Sequence, residues 1–210
     1  MPVVIIPRRA FLGRLIDLTI GHSSPQYRIN LNAESRADLR AWHEFIDNYN
    51  GKLCFMFDAW ISSDTLRLYS DAAGFHGGYA AVFGSNWFTG EWPPAMQPFH
   101  LTIKEFFPIV LPVESWGNVL TNHKILFFTD NAAVVDIINN TTSKDKVIMK
   151  LVRRLVLAAL KYNIFFRAKH IPGKHNIVCD LSRFSFQKAH YVAPWLAPQQ
   201  TTIPTQLLSV

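Results

Sequence analysis

Cysteine is scarce in this chain. Cys54 and Cys179 are the only two, too few for a disulfide framework or a cysteine-rich zinc cage. That scarcity points to a reducing, intracellular compartment. Long apolar runs are missing as well. No stretch approaches the roughly 20 residues of a membrane span, and Val3 to Ile6 is far too short for the core of a signal peptide. No membrane partner is therefore expected. Charge is thin, at 17% of residues against 49% hydrophobic. That balance excludes global disorder and leaves ample apolar side chain for a core. No internal repeat is present.

Acid is the other thing in short supply, in one part of the chain. Residues 144–188 hold eleven Lys or Arg against two acids, Asp145 and Asp180. The remaining residues hold ten against thirteen. The net charge of +6 thus comes from the C-terminal part, which points to a polyanion such as nucleic acid. A merely solubilising face is the plainer alternative. The basic side chains have helical spacing: from a Ser143 cap to about Tyr162, Ile148, Leu151, Val152, Leu155 and Ala159 share one face. Lys146, Lys150, Arg153, Arg154 and Lys161 gather on the other.

Read in order, Arg8 to Thr19 has helical spacing ending near Gly21. Asn32 is placed to cap a second helix whose apolar face would be Leu39, Trp42, Phe45 or Ile46, and Tyr49. Leu53 to Phe57 is a short strand candidate. Leu66 to Asp71 alternates as a strand, Tyr79 to Phe83 and Trp87 to Trp92 follow across tight turns, and Pro93-Pro94 ends the meander. Leu101 to Asn118 reads as a helix with Glu105 in its first turn and a kink at Pro112. Lys124 to Asp130 is a nearly unbroken apolar run, as in a buried parallel strand. A short helix from Asn131, the basic helix, a strand at Ile164 to Ala168, and a last helix over Asn176 to Phe184 complete the domain. From about Ala193 the tail is rich in Pro, Gln and Thr and has little to bury. The expected fold is α/β: a mixed five-stranded sheet, three antiparallel strands then two parallel, flanked by helices. The expected divisions are a helical segment 1–62, the sheet domain 63–186 and a poorly ordered tail 187–210.

Four carboxylates stand in pointed places: Asp71 at a strand end, Glu105 on a helix, Asp130 at the end of the apolar strand, and Asp180 in the last helix. Any one of them alone is ordinarily a turn or surface residue. Four on separate elements suggest a site for hard divalent cations, which oxygen donors bind. Two such ions roughly 4 Å apart can activate a water and stabilise a leaving oxygen in phosphodiester cleavage. His170, ten residues before Asp180 on the loop with Pro172-Gly173, is placed to move a proton. Its plainer role is a backbone-bonded loop histidine. His100 and His175 have no comparable context.

These residues, with "FFTDN" and "HIPGKHNIVCDLSR", resemble the type 1 ribonuclease H domain of retroelement reverse transcriptases. "SDAAG", "FGSNWFTGEWP", "SKDKVIMKLVRRLVL" and "FRAKHIPGKHN" resemble more narrowly the DIRS-type retrotransposons. The likeness covers about 64–186. It extends weakly to "RAFLGRLIDLT" and "RADLRAWHEF", which look like the thumb and connecting part after a polymerase palm. It implies a ribonuclease H-like fold and an endoribonuclease cutting the RNA strand of RNA·DNA hybrids. It implies two Mg²⁺, or Mn²⁺, on Asp71, Glu105, Asp130 and Asp180, with His170 as the family's mobile histidine. The hybrid would be held by Asn131, Lys146, Lys150, Arg153, Arg154 and Lys174, and the polymerase part of a reverse transcriptase is the implied partner. The polymerase Tyr-x-Asp-Asp signature is absent. Two departures point to an alternative, a catalytically decayed module that binds nucleic acid or packs beside a polymerase. Pro112 falls where the family's helix is unbroken, and one residue is missing between Asp180 and Leu181-Ser182-Arg183. A transposase of the same broad fold fits less well, because its glutamate comes late in the chain and here Glu105 is second.

Overall fold

The computed structural model describes residues 6–22, 24, 26–48, 59–74, 77–172 and 176–209. The expected strand at Leu53 to Phe57, Tyr49, Cys54, Gly173, Lys174 and His175 lie outside the described residues. The chain divides into two compact units, Met1–Cys54 and Phe55–Val210. Among the described residues no helix is long and apolar enough to cross a membrane.

The first unit is a pair of helices, α1 (Ile6–Asp17) and α2 (Ala33–Asn48). Asn32 caps α2 as expected, its Oδ1 accepting from the Ser35 amide at 2.8 Å. The inner face of α2 differs from the one expected. Ser35 and Asp38 are buried, whereas Leu39 and Ile46 are exposed. An ion pair sets the rotation: Arg14 on α1 donates through Nε and Nη2 to Asp38, at 2.8 and 2.6 Å. Asp38 must therefore turn inward, and Trp42 and Phe45 follow it at helical spacing. Phe45 packs edge-on against Phe11 with ring centres 5.5 Å apart.

The second unit carries β1 (Trp60–Ser62), α3 (Ser63–Leu66), β2 (Leu68–Ala72), β3 (Gly78–Phe83) and β4 (Asn86–Glu91). Then come α4 (Leu101–Trp116), β5 (Lys124–Thr129), α5 (Ala132–Asn140), α6 (Lys146–Lys161) and β6 (Phe165–His170). Two short helices follow, α7 (Cys179–Ser182) and α8 (Phe186–Val192). The expected five-stranded sheet is instead two sheets of three. One has the order β1-β5-β6, all parallel, and the other is the antiparallel meander β2-β3-β4.

The break has a local cause at α3. Ser62 caps a single helical turn, accepting from the Thr65 amide, and Arg67 ends it in the left-handed region at φ 49°. Pairing to β5 therefore stops at Ser62, and pairing to β3 starts at Leu68. Across the gap the Ser63 hydroxyl substitutes for the lost ladder. It accepts from the Phe128 amide at 2.9 Å and donates to the Leu126 carbonyl at 3.3 Å.

The meander is covered on both faces. On one, Tyr79 packs on Phe107 of α4 with ring centres 5.4 Å apart, and Phe88 packs on Trp116 at 5.1 Å. Gly90 lies across from Tyr79, where a Cβ would come within 2.3 Å of the phenol oxygen. On the other face Ala80, Val82 and Trp87 pack with Val178, Leu181, Ala189, Ala193 and Leu196. The last three belong to the stretch expected to be poorly ordered. That stretch packs instead: Trp87 Nε1 donates to the Ala197 carbonyl, and Arg154 donates to the carbonyls of Leu207 and Ser209. The outer face of β3 and β4 needs a cover, and apolar side chains of 187–210 supply part of it.

Helix α4 runs unbroken through both Pro108 and Pro112. Its side chains from Phe106 to Val113 are all buried, so burial over two turns offsets the two missing backbone hydrogen bonds. Glu105 lies one residue past its first turn rather than within it.

Candidate active site

Asp71 is the fourth residue of β2, paired to Ala80 on β3, and is buried at 8%. Asp130 follows directly on β5, at the carboxyl end of the parallel sheet, where ligands gather in open α/β sheets. Glu105 projects from α4, which packs against β2 and β3. These three groups feel one another. Burial pushes the Glu105 carboxyl up to about 8, with the charges of Asp71 and Asp130 adding to it. Burial also raises Asp71, as does Asp130, while Ser182, Cys179 and Arg183 oppose the rise. Asp71, buried, and Glu105, half-buried, thus lie within electrostatic reach of the exposed Asp130.

Asp180 does not join them. It lies on α7, and its Oδ1 accepts from Lys188 at 2.9 Å. The residues that α7 presents to Asp71 are Cys179 and Ser182, three apart and so on one face of the turn. Ser182 Oγ donates to Asp71 Oδ2, and Cys179 Sγ stands 3.3 Å from Oδ1. Asn176, just before α7, donates to the Ser70 carbonyl at 2.8 Å and reaches Asp71 Oδ1 at 3.4 Å. Burial and the adjoining Asp71 push the Cys179 thiol up to about 12. Among the described residues, no three His, Cys, Asp or Glu side chains stand together closely enough to hold a metal ion.

Cys179, Ser182 and Asn176 were not singled out by sequence. The signal that could have found them is the departure after Asp180 from the resembled pattern. One residue is about 100° of helix, enough to exchange which side chain of a short turn faces a fixed partner.

His170 ends β6 opposite Thr129 rather than sitting on the following loop. Its Nε2 is 3.0 Å from the Asp130 carbonyl oxygen, and the side chain is exposed. Asn131 caps α5, its Oδ1 accepting from the Val134 amide at 3.2 Å.

The basic residues of α6 are of two kinds. The helix is capped by Asp145 rather than Ser143: Oδ1 accepts from the amides of Val147 and Ile148 at 2.7 and 3.0 Å. Lys146 and Lys150 are exposed, and Arg153 is half-buried. Arg154 is engaged in the fold. It forms a two-pronged pair with Glu114 at 2.9 and 2.6 Å besides its two bonds to the tail carbonyls.

No protein-family model matches the chain, and no curated protein matches it either. Among solved structures, a ribonuclease H1 from the halophilic archaeon Halobacterium salinarum NRC-1 aligns with a TM-score of 0.43 at 12% identity, over 61% of this chain and 99% of that one. The N-terminal ribonuclease H domain of a Mycobacterium tuberculosis protein, solved as a fusion with maltose-binding protein, aligns with a TM-score of 0.39 at 15% identity, over 60% and 94%.

Proposed function

We propose that the second unit is a metal-dependent nuclease that hydrolyses the RNA strand of RNA·DNA hybrids within retroelement reverse transcription. The observation that carries this reading is the convergence of influence on Glu105 of α4, whose carboxyl is raised by burial and by the charges of Asp71 on β2 and Asp130 after β5. In its chemistry the donor set suits a hard divalent cation such as Mg²⁺, or Mn²⁺, because it is all oxygen and negatively charged, but the three carboxylates would have to draw closer than they stand here to share an ion. Asp71, Glu105 and Asp130 would hold the ions, with Asp180 as a fourth donor once it leaves Lys188. Ions held there supply an activated water and a stabilised leaving oxygen.

The chain's own groups do the rest. Ser182 and Asn176 fix the orientation of the Asp71 carboxylate. His170, exposed beside Asp130, is placed to carry a proton between the site and solvent. Lys146 and Lys150 face solvent and would take phosphates, in salt-sensitive contacts. The 2′-hydroxyl would mark the RNA strand.

A second reading is a module that binds hybrid without cutting it. It is favoured by the Asp180–Lys188 pair and by Cys179 and Ser182 occupying the side of α7 that faces Asp71. Hybrid cleavage by the full chain with Mg²⁺, with Mn²⁺ and with EDTA separates the two. The first reading expects metal-dependent products that vanish in Asp71→Asn and Asp130→Asn, both still folded. Hybrid binding without products in either metal selects the second.

A further inference from the structure

The parallel sheet β1-β5-β6 has unequal faces. Side chains alternate along each strand, and one set, with Ile125 and Phe127 of β5 and Ala168 of β6, is buried in the core. The opposite set is not. Trp60, Lys124 and Phe165 form one row across the three strands by register. Further along β6 on this face come Arg167 and Lys169, both exposed. Trp60 is 37% exposed although it is a large aromatic. Its ring lies 5.0 Å from that of Phe165, and the Arg167 guanidinium stands 5.3 Å from the first ring and 5.8 Å from the second. None of the three strands contains an Asp or Glu. The strands thus bring to this face aromatic rings and, among their own residues, positive charge alone.

We infer that this sheet face docks single-stranded nucleic acid, with bases stacking on the Trp60–Phe165–Arg167 group and phosphates meeting Arg167 and Lys169. Charge complementarity selects a polyanion. The planar groups select among polyanions, because every unpaired base offers a π-face and the bases of a duplex are already stacked on one another. Phe165 to Lys169 spans about 13 Å of strand, and the next residue is His170 beside Asp130. The track thus leads along β6 toward the carboxylates. It lies on different elements from the lysines of α6. The inference concerns binding alone and stands whether or not the carboxylates cut.

The test uses the full chain in EDTA, with a labelled twelve-nucleotide oligo-dT, the same strand paired to oligo-dA, and a poly-glutamate peptide as competitor. Anisotropy is read at several salt concentrations, and thermal melts check the fold. The parent is expected to prefer the single strand. Trp60→Ala should weaken oligo-dT binding roughly tenfold, the scale of one lost base–aromatic stack, and Trp60→Phe should retain most of it. Replacing Arg167 and Lys169 together with Gln should lower the slope of log affinity against log salt by about 1.4, since each lost phosphate contact on a single strand is worth about 0.7. An unchanged salt slope in that pair, whose side chains are exposed, overturns the proposal even if Trp60→Ala unfolds the chain. A folded Trp60→Ala that binds like the parent, together with easy displacement by poly-glutamate, also overturns it and identifies an acidic polypeptide as the partner.

Discussion

At the scale of single residues, Glu105 gives the sharpest expectation. Its folded-state value of about 8 lies above the 4.5 of an unperturbed glutamate. The folded chain therefore holds a proton there that the unfolded chain releases. Its contribution to stability is fully present below about pH 4.5 and is lost as pH rises through about 8. In EDTA, urea midpoints should fall between pH 5 and pH 8.5, and Glu105→Gln, which cannot ionise, should flatten that fall. A divalent ion should do the same by relieving the repulsion from Asp71 and Asp130. If the parent keeps one midpoint across this range, Glu105 is ionised throughout and the shared-charge picture fails. Positions such as Asp71 and Asp130 were legible in sequence because a carboxylate at a strand end stands out. Asp38 was not. Its burial depends on a partner, Arg14, 24 residues away, and no periodicity reports that pairing.

At the scale of the element, α7 is where the two proposed readings, cutting and mere binding, part company. Four residues long, it cannot present both Asp180 and Cys179 to Asp71, because neighbours on a helix point about 100° apart. Two changes should restore a fourth carboxylate to the site: Cys179→Asp, or one alanine inserted after Asp180. Either should raise metal-dependent hybrid cleavage at least tenfold if the shortened segment is what limits the parent. Lys188→Ala should raise it less, since it frees Asp180 without turning it. If hybrid cleavage is insensitive to all three, α7 is not part of the reaction. The elements themselves were largely readable. Strand β5 announces itself as Ile-Leu-Phe-Phe, and α6 by its two-sided pattern. Helix α4 was readable along its length, and burial outweighs the cost of Pro112. The tail was not readable, because what orders it is the uncovered outer face of β3 and β4, far away in sequence.

At the scale of the whole molecule, Arg154 ties three distant parts of the second unit together: α6, Glu114 of α4, and the carbonyls of Leu207 and Ser209. In sequence it looked like one more cation of a nucleic-acid face. Only the fold separates it from Lys150, one turn away. Removing it would leave the Glu114 charge, 13% exposed, without its partner. Arg154→Gln should therefore destabilise the chain by about 3 kcal/mol in urea titration, whereas Lys150→Gln should stay within about 0.5 kcal/mol. Lys150→Gln should in turn reduce hybrid binding more steeply at low salt than at high. Equal stability of the two variants would return Arg154 to the nucleic-acid face.

The jog at Ser63 has a mechanical consequence. Asp71 rides on the meander and Asp130 on the parallel sheet, so no single ladder sets the gauge between them. One hydroxyl, bonded to the Phe128 amide and the Leu126 carbonyl, is the seam where the two plates meet. A cation gripping both aspartates would act as a rivet across that seam. Hydrogen exchange at the Phe128 amide is its strain gauge: it should slow when Mg²⁺ is added and quicken in Ser63→Ala.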